Sequence, residues 1–124
     1  MGRPDDTATF CQALLGPRRV GETVPVATVL VDAENVRRSV WPNIPKDELA
    51  ELCAAWGGAN GHDVVVVWEG KESADDRIAR EVTELDAPVW VVTSDRVLRE
   101  RVRDHTERVI GGGSFARELL NQRE

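Results

Sequence analysis

Asp32 closes the apolar run Val29-Leu30-Val31, Glu69 follows a run of four valines and Trp68, and Asp95 follows Val89-Trp90-Val91-Val92-Thr93-Ser94. Parallel α/β sheets gather their ligands just beyond the carboxyl ends of their strands. If the three runs are neighbouring strands, the three acids meet there. Gathered carboxylates repel one another, and a divalent cation relieves that repulsion. Hard oxygen donors favour Mg²⁺ or Mn²⁺.

A fourth acid joins them by helical spacing. In Ser73-Ala74-Asp75-Asp76, Ser73 and Asp76 have the spacing of a capping box, and Asp76 stands four residues before Arg80, which suits an exposed ion pair. Asp75 shares a stripe with Ile78, Ala79 and Val82, the face expected to meet the sheet. An unpaired carboxylate there is costly, so Asp75 reads as a ligand. Asp32, Asp75 and Asp95 are the candidate metal ligands, and Glu69 is a weaker fourth because Glu before Gly70 is also an ordinary turn. Structural alternatives stand beside these readings. Asp32 or Asn35 could cap a helix after the first strand, and Ser94 or Asp95 could cap the next one.

Five arginines (96, 99, 101, 103 and 108) crowd the segment after Asp95. Arg96, Arg99 and Arg103 fall on one helical stripe and could hold a phosphate backbone, although such runs are often only solvated faces. The net charge of −6 means that any basic surface must be local. Gly111, Gly112 and Gly113 lack the remaining residues of a phosphate loop and read as a turn before a Ser114 cap. His62 and His105 read as surface residues. Cys11 and Cys53 have neither zinc nor disulfide spacing and read as buried thiols of a reducing compartment.

The elements that must position these groups alternate. Strands are predicted over 26–31, 62–68, 88–93 and 108–110, and helices over 45–56, 74–85, 95–105 and 114–122, with Gly57-Gly58 ending the first of these. The four valines suit a strand buried on both faces. This order predicts an α/β fold, a Rossmann-like parallel sheet flanked by helices. Residues 1–25, rich in Pro and Gly, read as an N-terminal extension, either with a short helix at 6–15 or partly disordered, and 26–124 as the folded domain. No secretory signal is visible and no apolar run approaches the ~20 residues of a membrane span, so a cytoplasmic protein is expected.

Val31-Asp32-Ala33-Glu34-Asn35-Val36 followed by Trp41-Pro42, then Ser73-Ala74-Asp75-Asp76-Arg77-Ile78, then Val91-Val92-Thr93-Ser94-Asp95, and finally the 113–120 segment resemble, in order, elements of NYN domains in the PIN-like nuclease superfamily, nearest the bacterial YacP-like branch. The resemblance covers about 28–121. It implies a PIN-like fold, Mg²⁺ or Mn²⁺, and hydrolysis of RNA phosphodiester bonds. By position it assigns Asp32, Asp75 and Asp95 to the metal and Asn35 to the catalytic site. RNA is the implied partner, with the ribosome or another protein as a further one. Two departures mark this chain: Glu69-Gly70 stands where the family often has Asp-Gly, and only Lys71 and Glu72 separate Gly70 from Ser73. A degenerate module that binds RNA or a protein without cutting is therefore the rival expectation. A phosphoacceptor receiver domain has similar alternation but needs a lysine after a late strand, and the only lysines are Lys46 and Lys71.

Overall fold

The computed structural model describes residues 27–123 apart from residue 87. The expected extension, its helix and Cys11 lie outside the described residues. Strand β1 (Thr28–Asp32) runs straight into a short helix α1 (Ala33–Arg38), followed by α2 (Lys46–Asn60), β2 (Asp63–Val67), α3 (Ala74–Glu84), β3 (Val89–Val92), α4 (Arg96–Val102), a 3₁₀ turn (Arg103–His105), β4 (Arg108–Ile110) and α5 (Gly112–Arg123). The sheet has the order β2-β1-β3-β4 and is parallel throughout. This is the α/β, Rossmann-like arrangement expected from the alternation.

The first described strand lies in the middle of the sheet. β1 carries β2 on one side and β3 on the other, so the strand order reverses at the β1–β3 boundary, where ligands bind in such sheets. Helices cover both faces. Val29 and Val31 of β1 pack with Leu49, Cys53, Trp56, Phe115 and Leu119 under α1, α2 and α5. Leu30 packs on the other face with Ile78, Val82, Leu98 and Val102 of α3 and α4. Only a strand of continuous branched apolar residues can serve both cores. The four valines of β2 do not play that part. β2 is an edge strand, and Val64, Val65 and Val66 are only half-buried. Among the described residues no helix is long and apolar enough to cross a membrane.

Several boundaries differ from the sequence expectation for physical reasons. α2 passes through Gly57-Gly58 and ends at Gly61, whose φ of 75° forms a left-handed cap. Gly57 is there for closeness rather than termination, because a Cβ would come within 2.8 Å of the Val64 side chain. Ser114 is not a cap. α5 begins two residues earlier, at Gly112. His62 is not a surface residue either. It is half-buried, its ring centroid 5.4 Å from that of Trp56 and 4.4 Å from that of Trp90. Cys53 is a free buried thiol, its pKa pushed up to about 12 by burial, and is therefore inert.

Candidate functional site

Asp32, Asn35, Glu69, Asp75, Ser94 and Asp95 line a single cleft of about 520 Å³, with Glu34, Arg38 and Ser39 on its wall. That volume has room for a hydrated ion and a phosphate group. It opens beyond the carboxyl ends of β1, β2 and β3, with α3 contributing from one side. All three candidate ligands and Glu69 are brought to it.

Each acid is held differently. Asp32 occupies the position before α1 but makes no capping hydrogen bond, so the capping alternative fails for it. It is 5% exposed. Its Oδ2 accepts a 2.9 Å hydrogen bond from the fully buried Thr93 hydroxyl, whose oxygen accepts in turn from the Asp95 N–H at 3.1 Å. Thr93 thereby links the ends of β1 and β3 through one oxygen. Burial raises the Asp32 carboxyl above its ordinary range. The Thr93 hydroxyl opposes this, and repulsion from Asp75, Glu69 and Asp95 adds to it.

Asp95 is both cap and cleft wall. Its Oδ1 accepts from the Val97 and Leu98 N–H groups at 2.9 and 3.3 Å, and no hydrogen bond among the described residues engages Oδ2. Asp75 is half-buried and makes no ion pair among the described residues. Its carboxyl is raised by burial, then by repulsion from Asp95 and Glu69, while Arg101 eases it. Asp76, one residue on, points outward. Its N–H is capped by the Ser73 hydroxyl, and its carboxylate takes Arg101 at 3.1 Å. The expected Asp76–Arg80 pair is absent, because Arg80 reaches Glu72 at 2.7 Å and Glu84 at 3.4 Å. Glu69 is exposed and accepts from the Ala74 N–H at 3.3 Å, so it also helps begin α3.

A second linkage holds the polar wall. Asn35 Oδ1 accepts from the Ser94 N–H at 2.9 Å, and Ser94 Oγ accepts from the Gly112 N–H at 2.8 Å. Asn35 does not cap α1 and Ser94 does not cap α4. They tie α1, the end of β3 and the start of α5 together. A Cβ on Gly112 would collide with Asn35 Oδ1 and come within 3.3 Å of Ser94 Oγ. Gly112→Ala should therefore cost about 1–3 kcal/mol through overpacking, read as a lower urea midpoint at unchanged m. Gly113→Ala, which meets only the mobile end of Arg117 at 3.4 Å, should stabilise by about 0.5 kcal/mol.

The four cleft acids differ from their neighbour Glu34 in having no ion-pair partner among the described residues. Glu34, on the same wall, pairs with Arg37 at 2.9 Å, Arg38 at 3.0 Å and Lys46 at 3.9 Å. Asp32, Asp75, Asp95 and Glu69 pair with none among the described residues. Their donors are all oxygens, a hard set suited to Mg²⁺ or Mn²⁺. No three His, Cys, Asp or Glu side chains among the described residues already stand as a metal cage. A ready cage is not what Mg²⁺ requires, since it keeps several waters and takes one or two carboxylates with substrate phosphates. On donor chemistry the cleft fits such an ion.

Arg96, Arg99 and Arg103 come together as well. With Glu100 and Val109 they line a groove that meets the acidic cleft at Ser94. Arg103 is paired with Glu100 at 3.2 Å, whereas Arg96 and Arg99 have no ion pair among the described residues. Thr93, Ser94 and Gly112 are the positioning residues that sequence reasoning passed over. The signal was a Thr-Ser pair between a buried strand and its acid, read there only as possible capping.

The fold and the cleft together define an α/β protein with an acidic, oxygen-lined site at the switch point of a parallel sheet. No family model matches the chain, and neither a curated protein nor a solved structure matches it.

Proposed function

We propose that the protein is a cytoplasmic, metal-dependent endoribonuclease of PIN/NYN type, hydrolysing RNA phosphodiester bonds with Mg²⁺ or Mn²⁺. One observation carries the reading: Asp32, Glu69, Asp75 and Asp95, none ion-paired among the described residues, line the switch-point cleft, and a groove of three arginines opens from it at Ser94. Charge of both signs at such short range suits a polyanion whose reacting phosphate needs a cation the protein does not itself provide.

Asp32, Asp75 and Asp95 would hold the ion, with Glu69 in reserve. When bound, it supplies charge stabilisation at phosphorus and eases deprotonation of the attacking water. Thr93 fixes the rotamer of Asp32, so that donor is preset. Asp75, half-buried and unpaired, is free to adjust. With its Oδ1 taken by Ser94, Asn35 has its amide NH₂ to offer a phosphate oxygen. Arg96 and Arg99 would hold the backbone alongside.

The test is cleavage of single-stranded RNA by the purified protein. Cutting should appear with Mn²⁺ and vanish with EDTA. Arg99→Ala should weaken RNA binding and reduce the salt-dependence slope by about 0.7, the share of one phosphate contact on a single strand. An unchanged slope would remove Arg99 from the interface. The rival reading, a module that binds RNA or a protein without cutting, is favoured by the short 70–73 connection. RNA binding without cleavage under any divalent metal decides for it.

A further inference from the structure

On the β2 side of the acidic cleft, away from the arginine groove beside β4, lies a second groove lined by Arg37, Arg38, Lys46 and Trp68, with Glu34 and Glu69 shared with the cleft. Arg38 and Lys46 are about two-thirds exposed. The Lys46 ammonium sits 5.8 Å from the Trp68 ring centre. In the loop that joins Arg38 to Lys46, two residues beyond the cleft-lining Ser39, Trp41 stands 88% exposed. The other three tryptophans are packed. Trp56 and Trp90 bond Glu118 and Glu107, and Trp68 lies against the core.

The loop does not present Trp41 loosely. The Ile44 N–H donates to the Arg37 carbonyl and Arg37 Nε donates to the Ile44 carbonyl, each at 3.1 Å. The Ser39 hydroxyl is 2.6 Å from the Val36 carbonyl and 3.3 Å from that of Gly112. The indole is a displayed flat face with no stacking partner among the described residues. The basic side chains of Arg38 and Lys46 flank its loop, and the other large exposed apolar residues among those described, Leu85 and Val97, lie on other segments. An apolar core is what a protein-docking patch would need. Aromatic faces interleaved with basic side chains instead match an unpaired nucleotide.

We propose that this groove is a base-stacking subsite for single-stranded RNA, with Trp41 as the platform and Arg38 and Lys46 on the adjoining phosphates. It rests on the nuclease reading for its ligand and adds a direction to it. The strand runs from the arginine groove across the acidic cleft to Trp41, so nucleotides on both sides of the reacting phosphate are held.

Binding measured in EDTA separates affinity from cleavage. The probes are a short labelled oligouridylate and an abasic oligomer of equal length. Trp41→Ala should weaken oligouridylate binding about 5- to 100-fold, the usual effect of one stacked base, without changing the salt slope. Trp41→Phe should recover most of the loss, and the abasic oligomer should bind wild type and Trp41→Ala alike. Equal binding of oligouridylate by wild type and Trp41→Ala overturns the subsite and assigns the indole to a protein contact. Equal losses for both oligomers, or no binding by wild type, overturn it too. The two readings fail separately. A wild type that shows Trp41-dependent binding but never cuts with Mn²⁺ keeps the subsite and loses the nuclease; one that cuts while Trp41→Ala binds unchanged does the reverse.

Discussion

Asp95→Asn should reduce Mn²⁺-dependent RNA cleavage by on the order of 10²-fold or more while the protein melts as the wild type does. The separation follows from the two oxygens of Asp95. Oδ1 accepts the first free N–H groups of α4, and an asparagine side-chain oxygen caps a helix about as well as a carboxylate. The exchange therefore leaves the helix start intact. It removes a negative charge from the donor set and replaces an acceptor with an amide NH₂. Loss of a group that stabilises developing charge at a reacting centre costs 10²–10³ in rate. Far-UV circular dichroism and the melting temperature report the fold, and single-turnover cleavage reports the chemistry. Wild-type cleavage by Asp95→Asn would remove Asp95 from the ligand set and leave it a cap alone.

Manganese should stabilise the protein strongly. At a free concentration one hundred times its Kd, an ion that binds only the native state adds about 2.7 kcal/mol, on the order of 10 °C in a domain of this size. Asp32→Asn should lose most of this response. It should also melt higher than the wild type when neither holds metal, because the native Asp32 carboxyl is raised by burial and by its neighbours. The sign follows from proton linkage. A carboxyl raised in the native state makes the folded protein hold its proton to higher pH than the unfolded chain does. Stability therefore falls as pH rises from the ordinary aspartate range through the raised native value, and the full penalty applies above it. Asp75 adds in the same sense. The advantage of Asp32→Asn should be present at neutral pH and fade as the pH drops below the ordinary aspartate range. Calorimetry at two pH values, with and without Mn²⁺, checks both statements. Equal metal shifts in the two proteins would place the ion elsewhere.

What could be read in the chain was what periodicity encodes. Val29, Leu30 and Val31 announce a buried strand, but the valines of β2 read the same way and form an edge, so such a run does not tell centre from edge. Asp75 and Asp76 could be told apart because neighbours on a helix point about 100° apart, and Ile78 and Val82 mark the inward side. Long-range pairings left no periodic trace. The Thr93 hydroxyl meets a carboxylate 61 positions away, and Arg101 answers Asp76 across 25. α1 was invisible because six residues with only Ala33 and Val36 buried are too few to show a stripe. Gly57 misled because a glycine that permits close packing looks the same in sequence as one that ends a helix.

The order β2-β1-β3-β4 also bears on how the chain is made. β1 leaves the ribosome first among the four strands, yet it needs partners on both edges and helices on both faces. Its β3 neighbour ends at Val92, and the Phe115, Ala116 and Leu119 side chains that close one of its two cores come from the last helix. Until those residues are synthesised, the face of β1 that carries Val29 and Val31 has only α1 and α2 to cover it and is aggregation-prone. A nascent chain halted before α5 has its strands but an open core, and it is the kind of intermediate that chaperones retain.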